Sequence, residues 1–110
     1  LGSGSVTSTG YLGASSYIAA TGGTYNYTTG FGIVNAAGAT NVIHGIATII
    51  LLNASTNLWA MSGTFGNSDA TRTVWSGNSV ALSGTLDRVV LTTVNGTDTF
   101  DAGSINILYE

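Results

Sequence analysis

Apolar and polar residues alternate along this chain in short runs, and no segment of useful length carries the 3.6-residue apolar spacing of an amphipathic helix. Thr, Val, Ile and Tyr fill the runs, while Gly, Asn, Asp and Ser interrupt them at short intervals. β-branched and aromatic residues suit a pleated, half-buried surface, so the pattern predicts an all-β chain of short strands and turns. Strands are expected at "SYIAA" (16–20), at "TYNYTTGFGIVN" (24–35, one or two strands) and at "NVIHGIATIILLN" (41–53). Gly30 and Gly32 mark an expected bulge or bend within the second of these. The 41–53 run is apolar on both of its faces and therefore reads as a central strand buried on both sides. "NLWAMSGTF" (57–65) alternates, with Trp59, Met61 and Phe65 on one face and Leu58 and Ala60 on the other.

Further strands are expected at "TRTVWSG" (71–77), "SVAL" (79–82), "TLDRVVLTTV" (85–94), "TDTF" (97–100) and "SINILYE" (104–110). Asn95-Gly96 lies between two of them. Both central residues of a type I′ hairpin turn need positive φ, which Asn and Gly tolerate, so a hairpin is expected there. About eight or nine short strands with regularly spaced turns indicate a sandwich, jelly roll or barrel. A jelly-roll-like antiparallel β-sandwich is the expected fold. Residues 1–10, beginning "LGSGS", read as a linker or cloning remnant and 11–110 as one sandwich domain. The first residue is Leu1, so the chain reads as a piece of something longer. No internal repeat is visible.

Charge changes this picture most. Only 6% of the 110 residues are charged, against roughly 25% in an average soluble protein. Lys is absent, Arg72 and Arg88 are the cations, and the net charge is −3. Such a surface has few cations to replace the counterions of a phosphate backbone, which argues against nucleic acid as a partner. It is also repelled by anionic membranes. The apolar run "IATIILL" (46–52) is far shorter than the ~20 residues of a spanning helix. No basic region followed by an apolar core marks a signal peptide. With 44% hydrophobic residues the chain has enough apolar content to fold. Few charges combined with that content suggest surface buried against other chains.

The chemistry available is sparse. There is no Cys and one His, so a zinc site would need Asp ligands, and no metal or other cofactor is expected. His44 lies in the most apolar run and reads as a structural or interface residue, since no G-x-S-x-G pattern accompanies it. The acids are Asp69, Asp87, Asp98, Asp101 and Glu110. Asp69 sits among turn residues. Asp87 and Arg88 are adjacent on an expected strand and should point to opposite faces. Asp98 and Asp101 lack the oxygen density of a calcium loop; Asp101-Ala102-Gly103 reads as a turn with Asp101 capping backbone N–H groups. No lysine is present for a phosphate loop. These readings make the chain a non-enzyme. The aromatics are the better binding candidates. Tyr25 and Tyr27 flank Asn26 and share one strand face, and Trp75 follows Arg72 by three residues. Flat rings with polar edges suit sugars or protein surfaces, so Tyr25, Asn26, Tyr27, Arg72 and Trp75 are the candidate ligand-binding residues.

Three stretches, "TNLWAMSGTF" (56–65), "SVALSGTLDRVVLTT" (79–93) and "NGTDTFDAGSINILYE" (95–110), resemble the C-terminal ends of tailed-bacteriophage tail-fibre, tail-tip and related virion-surface proteins. The elements that carry the resemblance are Trp59 followed by Ser62-Gly63, Leu82-Ser83-Gly84 ahead of Asp87-Arg88, and the run from Gly96 to Asn106. They cover roughly the C-terminal half. The resemblance implies a homotrimeric β-domain at the virion surface. Such a domain would act as a host-recognition tip that binds a cell-surface glycan or protein, beside other virion proteins. A trimerisation head or a decoration domain without a ligand is the alternative, and a polysaccharide hydrolase ranks below both.

Overall fold

The computed structural model describes residues 1–34, 40–67 and 71–109. Seven strands occur among them: β1 (Gly2–Ser3), β2 (Ser5–Val6), β3 (Leu12–Ile18), β4 (Gly23–Tyr27), β5 (Ile43–Asn53), β6 (Leu58–Asn67) and β7 (Arg72–Ala81). β1 and β2 form a small sheet of their own. The other five make one antiparallel sheet in the order β4-β3-β7-β6-β5. The all-β expectation is met, and the chain by itself builds a single five-stranded open sheet.

The alternation read from 57–65 is present in β6. Met61 and Phe65 are buried while Ser62 and Thr64, between them, are exposed. β7 continues the same two faces: Val74, Ser76, Asn78 and Val80 are buried, and Thr73, Trp75, Gly77 and Ala81 are exposed. Two strands had been expected over 71–82, but the alternation runs unbroken through Gly77 and Asn78, and one strand forms. β3 starts at Leu12 rather than Ser16, because Leu12 to Ser15 pair with Ser79 to Ser76 of β7.

Several expectations need correction. β5 is an edge strand, not a central one, and all but one of its residues are exposed. Its apolar content reports a need for cover that this chain alone does not meet. The bulge lies at Leu51/Asn53 rather than at Gly30 and Gly32, which follow β4. The four-residue turn between β5 and β6, absent from the sequence reading, is set by two asparagines. Asn53 Oδ1 accepts from the Ser55 and Thr56 amides at 2.8 and 3.3 Å, and Asn57 takes φ 48°, a conformation Asn tolerates better than most. Residues 85–109 form no strand. Their alternation is strand-like, but the pairing goes no further than a single antiparallel bridge between Arg88 and Gly2, and Val89, Val90, Leu91, Val94, Phe100, Ile105, Ile107, Leu108 and Tyr109 are all exposed. Near Asn95-Gly96 the chain does turn, but one residue earlier than expected: the Gly96 amide donates to Thr93 O at 3.1 Å, so Val94 and Asn95 are the central residues and Gly96, at φ 69°, follows them. Asn95 keeps negative φ, so it is not a type I′ turn, and no hairpin flanks it.

β4 and β5 lie at opposite edges, so the chain between them must cross the sheet. Phe31 and Gly32, in its described part, lie over the buried face, where Tyr11, Val80, Leu82 and Leu1 form the core with Phe31, Ile49, Trp59 and Leu86 packed against them. The Tyr11 and Phe31 rings meet edge to face at 5.2 Å. The Gly/Ser-rich lead contributes to this cover: Leu1 is buried and its backbone N and O both bond to the Tyr11 hydroxyl. Each buried large apolar side chain contributes about 1.5–3 kcal/mol.

Polar groups fasten the crossing segment. The Gly32 amide donates to Asn78 Oδ1 at 3.2 Å. The Ser76 hydroxyl donates to Gly32 O, and Asn78 Nδ2 donates to Ser76 Oγ at 2.8 Å. The clamp leaves no room beside it: a Cβ on Gly13, the β3 residue paired with Asn78, would overlap the Asn78 side-chain amide. Asn78→Ala is expected to lower stability by about 1–3 kcal/mol in denaturant unfolding, because the Gly32 amide and Ser76 lose partners in a buried site. Gly13→Ala acts through the same contact, so the double substitution should cost less than the sum of the two singles.

Candidate functional site

The five candidate binding residues fall on two faces of the sheet. Tyr25 and Tyr27 do share a face of β4, and Asn26 points to the other. Tyr17 on β3 joins the tyrosine face. Its register partner is Gly23, which has no side chain to obstruct it, and the Tyr17 ring occupies the space a Cβ there would need. Tyr17 then stacks on Tyr25 with centroids 6.1 Å apart and planes 19° from parallel. The Arg72 guanidinium lies 4.5 Å from the Tyr17 centroid. Its Nε is buried and has no hydrogen-bond partner, so the charge is turned to the ring, an attraction of about 0.5–2 kcal/mol. Tyr27 has a packing task instead: its hydroxyl bonds to Ser15 Oγ at 2.9 Å, and its ring fills the space beside Gly32.

Trp75 projects from the uncovered face, 44% exposed. It borders a shallow depression of about 360 Å³ with Ile46, Thr48, Ser62 and Thr64. One aromatic wall and three hydroxyls give that depression hydrogen-bonding and stacking capacity without charge. The structure therefore unites Tyr25 and Arg72 through Tyr17, and places Asn26 and Trp75 on the opposite side.

The remaining candidates are local. His44 lies on the exposed stretch of β5, its imidazole across Gly66 of β6. Asp98 accepts from Asn95 Nδ2 at 2.8 Å, and Asn95 Oδ1 accepts from the Thr97 and Asp98 amides. Side-chain capping occurs at Asn95 rather than at Asp101, two residues ahead of Gly103 at φ 139°. No group of three His, Asp or Glu able to hold a metal occurs among the described residues. Asp69 and Glu110 lie outside them.

Asp87 and Arg88 do pair, contrary to the expectation from strand geometry. Arg88 Nε donates to Asp87 Oδ1 at 2.7 Å. The segment is not in a ladder, so the two-residue alternation of a strand does not hold their side chains apart. Together they latch the N-terminal hairpin. Asp87 Oδ2 accepts from the Gly4 amide at 2.7 Å, the Asp87 amide donates to Gly2 O, and the Gly2 amide donates to Arg88 O, both at 3.1 Å. The Arg88 side chain, then the Gly4 amide, hold the Asp87 carboxyl below the usual carboxylate range. This gives the Asp87-Arg88 pair of the resemblance motif a structural task in this chain.

Sequence reasoning missed Tyr17 and the Ser76–Asn78 clamp. Tyr17 joins Tyr25 only through its register with Gly23, and the clamp depends on a crossing; no local pattern announces either. Comparison with protein-family models, with curated proteins and with solved structures finds no match to this chain. Acid tests the latch. A carboxyl whose pKa is lowered by folding stabilises fully above its unfolded value, about 4, and that contribution is lost as pH falls through the folded value. Exchange protection of the Gly4 amide is expected to fall on acidification below about pH 4, and to be low and insensitive to that change in Asp87→Asn.

Proposed function

We propose that this chain is a self-associating β-module of a tailed-phage virion-surface protein, homotrimeric, that presents the Tyr17–Tyr25–Arg72 cluster to a host-surface glycan or protein. The observation that carries the reading is the distribution of exposed surface. One whole sheet face and the β5 edge carry Leu12, Ile18, Ile46, Ile50 and Trp75 in the open. A chain with 6% charged residues and this much uncovered apolar surface suits packing against copies of itself. The resemblance of residues 56–65, 79–93 and 95–110 to phage tail-fibre and tail-tip ends supports the setting. In such an assembly the single sheet would become one layer of a jelly-roll-like sandwich whose second layer comes from neighbouring chains. The Tyr17–Tyr25–Arg72 cluster supports the ligand role, because stacked tyrosines beside a guanidinium offer a sugar ring both a flat face and donors.

A second reading, a trimerisation head or decoration domain without a ligand, is favoured by the shallowness and lack of charge of the Trp75 depression. Two measurements separate them. Solution mass should be about three times 11.1 kDa; a concentration-independent monomer would count against both. A host-glycan array and cell-binding assay should show binding that Tyr25→Ala or Arg72→Ala weakens by about tenfold or more, the size of a truncated binding anchor, at unchanged mass. Silence across glycans and cells selects the second reading.

A further inference from the structure

Two features of this chain complement each other. The first is the outer edge of β5. An antiparallel edge strand leaves alternate N–H and C=O groups unpaired, and natural sheets guard such edges with charge, Pro, bulges or short strands. Residues 45–52 carry no charge and no Pro, β5 spans 11 residues, and its bulge lies at its far end. The second is the segment 104–109, "SINILY", which has a strand's alternation and no ladder. Leu108 and Tyr109 are each 92% exposed, and Ile107 69%.

Within one chain the two features lie close but do not join. Asn106 and Leu108 face Ile46 to Ile49 across a cavity of about 250 Å³, and no backbone hydrogen bond connects them. The chain's own segment therefore leaves both the edge and itself uncovered. The surface area says how much cover is missing. A compact monomer of this mass exposes about 5,700 Å², whereas this chain exposes 7421 Å². The excess, about 1,700 Å², is roughly twice the ~800 Å² that one partner contributes to a standard interface. Two interfaces per chain, one given and one received, account for it. The radius of gyration agrees: 14.2 Å, against about 13 Å for a compact chain of this length.

We propose that residues 104–109 of one copy add as a strand to the outer edge of β5, residues 45–52, of a second copy. The edge supplies the unpaired backbone groups and the segment supplies their partners; Ile105, Ile107 and Leu108 then cover apolar positions of β5. Donor and acceptor surfaces differ, so the contact is heterologous and closes a ring when each copy both gives and receives. This pairing rests on the self-association in the reading above, and not on the virion setting or the ligand.

The chain has no cysteine, so introduced pairs report only on themselves. Chains carrying Asn106→Cys are unfolded, mixed with chains carrying Ile46→Cys, Thr48→Cys or Ile50→Cys, refolded together and oxidised. A disulfide between the two kinds of chain is expected for at least one pairing. No inter-chain disulfide from any of the three, in protein that still has an oligomer's mass, overturns the pairing and leaves self-association standing. With both cysteines on one chain, cross-linking confined to monomers overturns it in favour of closure within a chain. Leu108→Asp changes a side chain that is almost fully exposed in the single chain, so the sheet should keep its circular dichroism while the mass falls to 11.1 kDa. An unchanged oligomer in that variant also overturns the pairing. A wild-type protein of 11.1 kDa at every concentration removes the pairing and the self-association together.

Discussion

A five-stranded sheet has two faces and two edges, and a single copy of this chain covers only one of the faces. Everything else in the structure follows from that shortage of cover. The side chains of Tyr11, Val80, Leu82 and Leu1 make one compact core, and Met61, Phe65 and Val74 extend it along the same face. On the other face Leu12, Ile18, Ile46, Ile50 and Trp75 meet solvent. Hydrophobic stabilisation scales with area removed from water, about 25 cal/mol per Å². A chain that leaves so much apolar area exposed gains correspondingly less from folding alone than it would in an assembly.

Because the cover consists of irregular segments, it cannot be held by a ladder. Polar contacts hold it instead. Gly32 is fixed above β7 by Ser76 and Asn78, and the N-terminal hairpin is fixed by Asp87 and Arg88. The clamp is buried and largely neutral; the latch is exposed and ionic. The first is strong because its groups have no water to fall back on. The second is screened by solvent and salt, and its value lies in register more than in energy. Small residues make room for both arrangements, Gly13 beside the clamp and Gly2 against Arg88 in the latch.

The same shortage of cover relates the aromatic cluster to assembly. Tyr25 and Tyr17 lie on β4 and β3 with Arg72 on the central strand β7, while the apolar edge and the C-terminal segment lie at the β5 end. The proposed strand pairing and the proposed ligand contact thus involve separate parts of one sheet, with Trp75 and its hydroxyl-lined depression between them on the other face.

The sequence by itself determined the all-β class, the faces of β6 and the sharing of a face by Tyr25 and Tyr27. Each depends on a two-residue period that local sterics impose on any strand. Its scarcity of charge left polar cover to Ser, Thr, Asn and Gly. It did not determine which strand lies in the middle. The run 41–53 is apolar on both faces, which records that the strand needs cover, and a central position and an intermolecular contact satisfy that need equally well in sequence. Nor did it show that 85–109 would find no ladder in its own chain, since pairing is a property of two segments and alternation a property of one. Only the tertiary structure decided these points. It put β4 and β5 at opposite edges, sent the connection across the face that Ser76 and Asn78 could clamp, and stacked Tyr17 between Tyr25 and Arg72, three residues whose proximity arises from register and from nothing local.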